Sequence, residues 1–128
     1  MSKCIFCQII SKEIDAYMIY ENELVCCFLD NDPINKGHLL VVPKKHYQEF
    51  PEVDRESLIE VITVAQRAAR ALESILNTDG LTVMQNNGIF KDVEHYHILF
   101  RALKGMVSHG LNRKSVSMKM ILLKYKQV

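Results

Sequence analysis

The stretch His95-Tyr96-His97-Ile98-Leu99-Phe100 decides how this chain is read. On a β-strand every second residue shares a face, so positions 95, 97 and 99 line up side by side, two imidazoles followed by an apolar side chain. Two imidazoles in such a row can hold a metal, bind a phosphate or attack it. Leu99, at the third place in the row, bears on which of these survives.

Working outward, Val93 to Phe100 reads as the last recognisable strand, preceded by an Asn86-Asn87-Gly88 turn and a strand from Leu81 to Gln85. Before that, Leu58, Ile62, Ala65, Ala69, Leu72, Ile75 and Leu76 recur at spacings of three and four, with Asp54 as N-cap and Asn77 and Gly80 as the stop. This is one long helix. Further back, His38 to Pro43 reads as a buried strand ended by proline, and Met18–Tyr20 with Leu24–Leu29 forms a hairpin around Glu21-Asn22-Glu23. The order β-β-β-α-β-β specifies an α+β domain, a mainly antiparallel sheet with one long helix packed on it.

A chain of 128 residues with 48% hydrophobic content has enough material for a single core. It has no apolar run near the roughly eighteen residues that span a bilayer, and Met1-Ser2-Lys3-Cys4 does not begin a secretory signal. A cytoplasmic protein with no membrane partner is expected. Its four cysteines then read as reduced thiols or metal ligands. The charge is uneven: residues 1 to 100 carry 9 Lys and Arg against 15 Asp and Glu, whereas residues 101 to 128 carry 7 Lys and Arg and no acid. Such a basic tail can signal nucleic-acid contact, but a simpler origin, given below, makes no nucleic-acid partner the expectation.

Cys4-x-x-Cys7 supplies two soft ligands from one turn, and His46 and His95 can complete a tetrahedral set; the plain alternative is a pair of exposed thiols. His97 is the candidate catalytic nucleophile or general base. An imidazole attacks phosphorus only when neutral and oriented, so its remote ring nitrogen should donate to a backbone carbonyl or a carboxylate. His38 can bring a second imidazole to the same oxygens, Asp30 can accept both ribose hydroxyls, and Asn87 with Gly88 can aim amide donors at a phosphate. Ordinary strand-end and turn roles account for the last four about as well.

Together these pieces resemble the histidine-triad (HIT) family, in its bacterial zinc-binding branch. The resemblance is carried by Cys-Ile-Phe-Cys-Gln-Ile-Ile at 4 to 10, Phe28-Leu29-Asp30 with Pro33, Gly37 to Lys44 with His46, Gln85 to Gly88, and His95-Tyr96-His97. It implies a homodimer that binds a purine nucleotide substrate and hydrolyses a nucleotide phosphoramidate or dinucleoside polyphosphate through a nucleotidyl-histidine on His97. Asp30 would hold the ribose, His38, Asn87 and Gly88 the phosphate, and Cys4, Cys7, His46 and His95 a structural zinc. Two other readings are a non-catalytic zinc-stabilised nucleotide-binding module and a thiol redox protein acting through Cys4 and Cys7.

The resemblance ends near residue 98, dividing the chain into a HIT-like domain, 1–98, and a divergent basic tail, 99–128. Where the family has Gly-Gln-Ser or Gly-Gln-Thr before its first strand histidine, this chain has Lys91-Asp92-Val93-Glu94, and Leu99 stands where the third histidine is expected. The tail reads as a shifted reading frame. If each new codon takes the last base of one present codon and the first two of the next, Met118-Lys119 must give Glu and Met120-Ile121 must give Asp. Synonymous choices then allow Leu99 onward to be reread as a family-like continuation that opens Ile-Pro-Arg and contains a Trp. The nucleotide sequence of codons 95 to 128 tests this: codons that cannot yield that continuation would leave an evolved basic tail.

Overall fold

The computed structural model describes residues 4–29, 39–75, 79–90, 93–104, 107–109 and 124–127. In chain order these form α1 (Ile5–Ile10), β1 (Tyr17–Glu21), β2 (Val25–Leu29), β3 (Leu39–Pro43), α2 (Arg55–Ile75), β4 (Gly80–Met84), β5 (Ile98–Lys104) and β6 (Val107–His109). The strands make one antiparallel sheet ordered β1-β2-β3-β5-β4, with β6 added to the far end of β5. This is the α+β architecture expected from the residue pattern.

The hairpin between β1 and β2 is closed by Asn22, whose Oδ1 accepts the N–H groups of Leu24 and Val25 at 2.8 and 3.0 Å. Asparagine does here what backbone would do in a tighter turn. A bulge between Met18 and Tyr20 breaks the alternation of β1. In consequence Ile19 and Tyr20 both reach the α2 side of the sheet, while Met18 reaches the other.

Every residue of β2 and β3 is buried, because both faces of the sheet are covered. On one face Val25, Cys27, Leu29, Leu39 and Val41 pack with Val61, Val64, Ala65, Ala68, Ala71 and Leu72 of α2. On the other, Cys26, Phe28, Leu40 and Val42 pack with Phe6 and Ile9 of α1. The N-cap of α2 is Asp54, which accepts from Ser57 N–H at 3.3 Å and from the Tyr47 hydroxyl at 2.7 Å. These donors hold its carboxyl below the ordinary carboxylate range.

One element is added to the expected order and two expectations are corrected. The segment from Cys4 opens a helix: α1 begins after Cys4, whose Sγ accepts from Cys7 N–H at 3.5 Å and so caps it. The strand expected over Val93 to Phe100 begins only at Ile98, so His95 and His97 precede the ladder. The buried stripe of α2 is turned from its expected position, with Ile62 outside and Val61 and Ala68 inside, because small alanines let the helix lie close to the sheet on that side.

β5 runs across residue 98 without a break, pairing with β3 and β4. The sequence points to Met120 to Leu123 as the segment by which the tail adheres; those residues lie outside the described set. Among the described residues from 99 onward, the core takes Phe100 and, near the chain end, Tyr125. Tyr125 is 1% exposed, its ring stacks on Tyr20 at 4.8 Å, Arg67 lies over it at 4.4 Å, and Arg67 Nε donates to its carbonyl at 2.9 Å. Replacing a buried aromatic by alanine generally costs about 3–5 kcal/mol. Tyr125→Ala is expected to lower unfolding stability by roughly 2–4 kcal/mol in urea denaturation, the lower bound reflecting a position near the chain end.

Candidate metal and nucleotide site

Tyr96 turns into the α2 core while Phe6 of α1 meets both neighbouring histidines edge-on, His95 at 5.8 Å and His97 at 5.1 Å between ring centroids. The alternation read from the sequence therefore places both imidazoles on the α1 side, although they precede the ladder. His95 is fully buried and His97 nearly so.

His95 Nε2 lies 2.8 Å from the carbonyl oxygen of Pro43, which only accepts, so Nε2 carries the proton and Nδ1 a bare lone pair. That lone pair meets the ligand atoms of Cys4, Cys7 and His46. Cys4 Sγ and Cys7 Sγ lie 3.4 and 3.5 Å from it, His46 Nδ1 lies 3.2 Å away, and Cys7 Sγ is 3.3 Å from His46 Nδ1. All four ligand atoms fall within 4.8 Å of one another. Around a tetrahedral ion with zinc's bond lengths, sulfur and nitrogen ligands stand roughly 3.5 Å apart and two nitrogens roughly 3.4 Å. The cluster fits such an ion, and the Pro43 carbonyl behind His95 is the outer partner that orients a ligating imidazole.

The spacing of the two cysteines has a local cause. Cys4 is the N-cap of α1 and Cys7 the residue whose N–H it caps, so one helical turn brings both sulfurs to one side. This puts the thiols at a helix start, which the sequence does not announce, yet Cys7 is not a low-pKa thiol. Burial, then the neighbouring Cys4, pushes it up to about 11. That opposes the redox reading, which needs a thiolate near neutral pH. Burial, with smaller contributions from His46 and His97, pushes His95 down to about 4 against the opposing Pro43 bond, so its neutral form prevails near pH 7.

His97 Nδ1 donates to the carbonyl of His95 at 2.8 Å. This is the backbone contact an attacking imidazole needs, and it leaves Nε2 as the basic nitrogen. The Asn87-Gly88 turn lies against the segment after His46. Phe50 N–H donates to Asn87 Oδ1 at 2.8 Å, and Gly88 N–H donates to Glu49 Oε1 at 2.7 Å, with Gly88 at φ +66°. Asn87 thus retains its NH2 as a donor, whereas the Gly88 amide is engaged by a carboxylate. Asp30 and His38 lie outside the described residues; their neighbours Leu29 and Leu39 pair across β2 and β3. Leu99 pairs through its backbone with Leu40 and Met84. Phe6, Pro43, Glu49 and Phe50 escape sequence reasoning. Only Phe6 carries a signal, as an apolar residue between the two cysteines.

Comparison with known proteins agrees with this architecture. Residues 11–99 match the HIT domain family. An uncharacterized HIT-like protein of Methanocaldococcus jannaschii is 44% identical over 102 residues, covering 77% of this chain and 78% of its own. An adenosine 5'-monophosphoramidase of Schizosaccharomyces pombe is 34% identical over 100 residues, covering 75% and 72%. The crystal structure of a zinc-bound histidine triad family protein from Mycobacterium smegmatis superposes with a TM-score of 0.83 at 30% identity, covering 98% of this chain and 94% of that one. The chain belongs to the HIT family.

Metal binding here is linked to protons. A thiol ligates as thiolate, and Cys7 is protonated near pH 7, so uptake of the ion expels its proton and raising the pH strengthens binding. Zinc(II) titrated into metal-free protein is expected to bind one to one, to release protons measurably, and to bind more tightly as pH rises from about 6 to about 8. Losing an outer-shell partner costs about 10–100-fold in metal affinity, so loss of the direct ligand in Cys7→Ser is expected to cost at least about a hundredfold.

Proposed function

We propose that the protein is a HIT-type hydrolase of purine nucleoside phosphoramidates or dinucleoside polyphosphates, with a structural zinc held by Cys4, Cys7, His46 and His95. The observation that carries this reading is His97, buried beside the metal cluster with Nδ1–H on the His95 carbonyl and Nε2 left basic. Nε2 attacks the α-phosphorus, the bond to the leaving amine or phosphate breaks, and the leaving group takes up a proton. Water then cleaves the nucleotidyl-histidine, returning His97 and a nucleoside monophosphate. Asn87 offers its NH2 to a phosphate oxygen, Gly88 shapes the turn, and Asp30 and His38 serve the ribose and the phosphate. The monophosphoramidase name of the yeast relative supports this substrate class.

Leu99 stands where the family resemblance calls for a third, polar histidine. Loss of one such donor commonly slows an enzyme by about 10²–10³. Weak turnover is the result, and a nucleotide-binding module without catalysis is the second reading, which Leu99 favours. The division into a HIT-like part, 1–98, and a divergent, frame-shifted tail, 99–128, is proposed from the sequence; the family match covers residues 11–99. A homodimer is supported by Ile59 and Ile62 left outside on α2 and Val83 left outside on β4, a strand at the sheet edge. Free cysteines support a reducing, cytoplasmic setting.

Adenosine 5'-phosphoramidate incubated with the zinc-loaded protein is expected to yield AMP slowly, and His97→Ala to abolish the yield. Equal rates for the two proteins would remove the catalytic claim. AMP binding seen by calorimetry without any turnover would favour the binding module.

A further inference from the structure

Residues 46–54 form a strap that joins the metal cluster to the Asn87-Gly88 turn. At its start His46 Nδ1 stands 3.3 Å from Cys7 Sγ and 3.2 Å from His95 Nδ1. One residue on, the Tyr47 carbonyl accepts Tyr96 N–H at 2.7 Å, and the Tyr47 hydroxyl donates to Asp54, the cap of α2, at 2.7 Å. Glu49 and Phe50 then make the contacts at 2.7 and 2.8 Å to Gly88 N–H and Asn87 Oδ1. Neither belongs to a strand ladder. The turn follows the end of β4 at Met84, so its conformation rests on the strap.

The chemistry of these two contacts is directional. An amide whose oxygen is engaged presents its NH2 in a fixed direction, so Phe50 N–H aims Asn87. A carboxylate on a backbone N–H is a charge-assisted bond, stronger than its neutral equivalent, and here it holds a glycine in the left-handed region. Only two residues, Tyr47 and Gln48, separate Glu49 from His46 of the candidate metal cluster. A shift of His46 is therefore passed to Glu49 with little slack.

We propose that Glu49 is a positioning residue for nucleotide binding, and that the 46–54 strap couples nucleotide affinity to metal occupancy. The proposal rests on the metal and nucleotide readings given above. An ion on His46 fixes the start of the strap, Glu49 and the Phe50 amide fix Gly88 and Asn87, and the Asn87 NH2 is set for phosphate before substrate arrives. Such coupling is reciprocal: the factor by which zinc tightens AMP is the factor by which AMP tightens zinc.

The test measures AMP affinity by calorimetry with and without zinc, and zinc affinity with and without AMP. The Gly88 amide is followed by ¹⁵N–¹H spectroscopy in the same samples. Zinc is expected to shift the Gly88 resonance and to tighten AMP. In the zinc-loaded protein, Glu49→Ala is expected to keep one zinc and weaken AMP about tenfold, the order set by one charge-assisted hydrogen bond, with Glu49→Gln restoring most of the loss through its remaining acceptor oxygen. A purely structural Glu49 would lower thermal stability and leave AMP affinity unmoved. Wild-type protein that binds zinc and AMP independently, or Glu49→Ala with unchanged AMP affinity, overturns the proposal alone. Failure of the wild type to bind zinc, or to bind AMP, overturns the corresponding functional reading and the proposal with it.

Discussion

The hydrogen bond from His95 Nε2 to the Pro43 carbonyl is the contact on which the site is built. It commits one nitrogen of a fully buried imidazole to the end of β3 and so turns the other toward two sulfurs and a second imidazole. The peptide carbonyl of the same residue then orients His97. Burial supports this arrangement by disfavouring the imidazolium, which would put a proton on Nδ1 and aim it at the other ligand atoms. One residue thereby serves the metal cluster through its side chain and the candidate nucleophile through its backbone.

The sheet makes this possible by separating two jobs onto two faces. The α2 face is apolar and close-packed, and Tyr96 joins it. The α1 face carries His95 and His97 against Phe6, with the cysteines at the start of α1. A six-residue helix has little stability of its own, and its apolar side is held by Phe28, Leu40 and Val42 of the sheet. The sulfurs of Cys4 and Cys7 at its first turn meet His95, which is bonded to the end of β3. Packing and these side-chain contacts thus fix α1 at complementary points.

What was legible in the sequence follows from how local each feature is. The hairpin, β3 and α2 are announced by period, composition and caps within a few residues, and all are present. The grouping of Cys4, Cys7, His46 and His95 was legible because a Cys-x-x-Cys pair presents two soft ligands together and the histidines stand beside strand signals. Helix α1 was not: Ile-Phe-Cys-Gln-Ile-Ile is too short to show a period, and cysteine is not among the residues that advertise an N-cap. The exposure of Ile62 reflects tertiary packing, since the alanines at 65 and 68 choose the face nearest the sheet. The contacts of Glu49 and Phe50 span 39 and 37 residues, and no local pattern encodes them.

Residue 99 shows why fold and chemistry need not be lost together. β5 is held at this point by backbone pairing to Leu40 and Met84, and backbone hydrogen bonds do not depend on whether the side chain is imidazole or isobutyl. A leucine suits a strand well enough that the ladder continues to Lys104 and takes on β6. Phosphate stabilisation has no such tolerance, because it requires a donor at one place. The sheet therefore accepts a leucine at a position where the proposed reaction would call for a donor. Tyr125 extends the same reasoning toward the chain end: a single aromatic ring between Tyr20 and Arg67 fills an apolar slot by shape and polarity alone and adds to the core. The requirements of the fold and those of the proposed reaction thus fall on different atoms, backbone at residue 99 for the one and its side chain for the other.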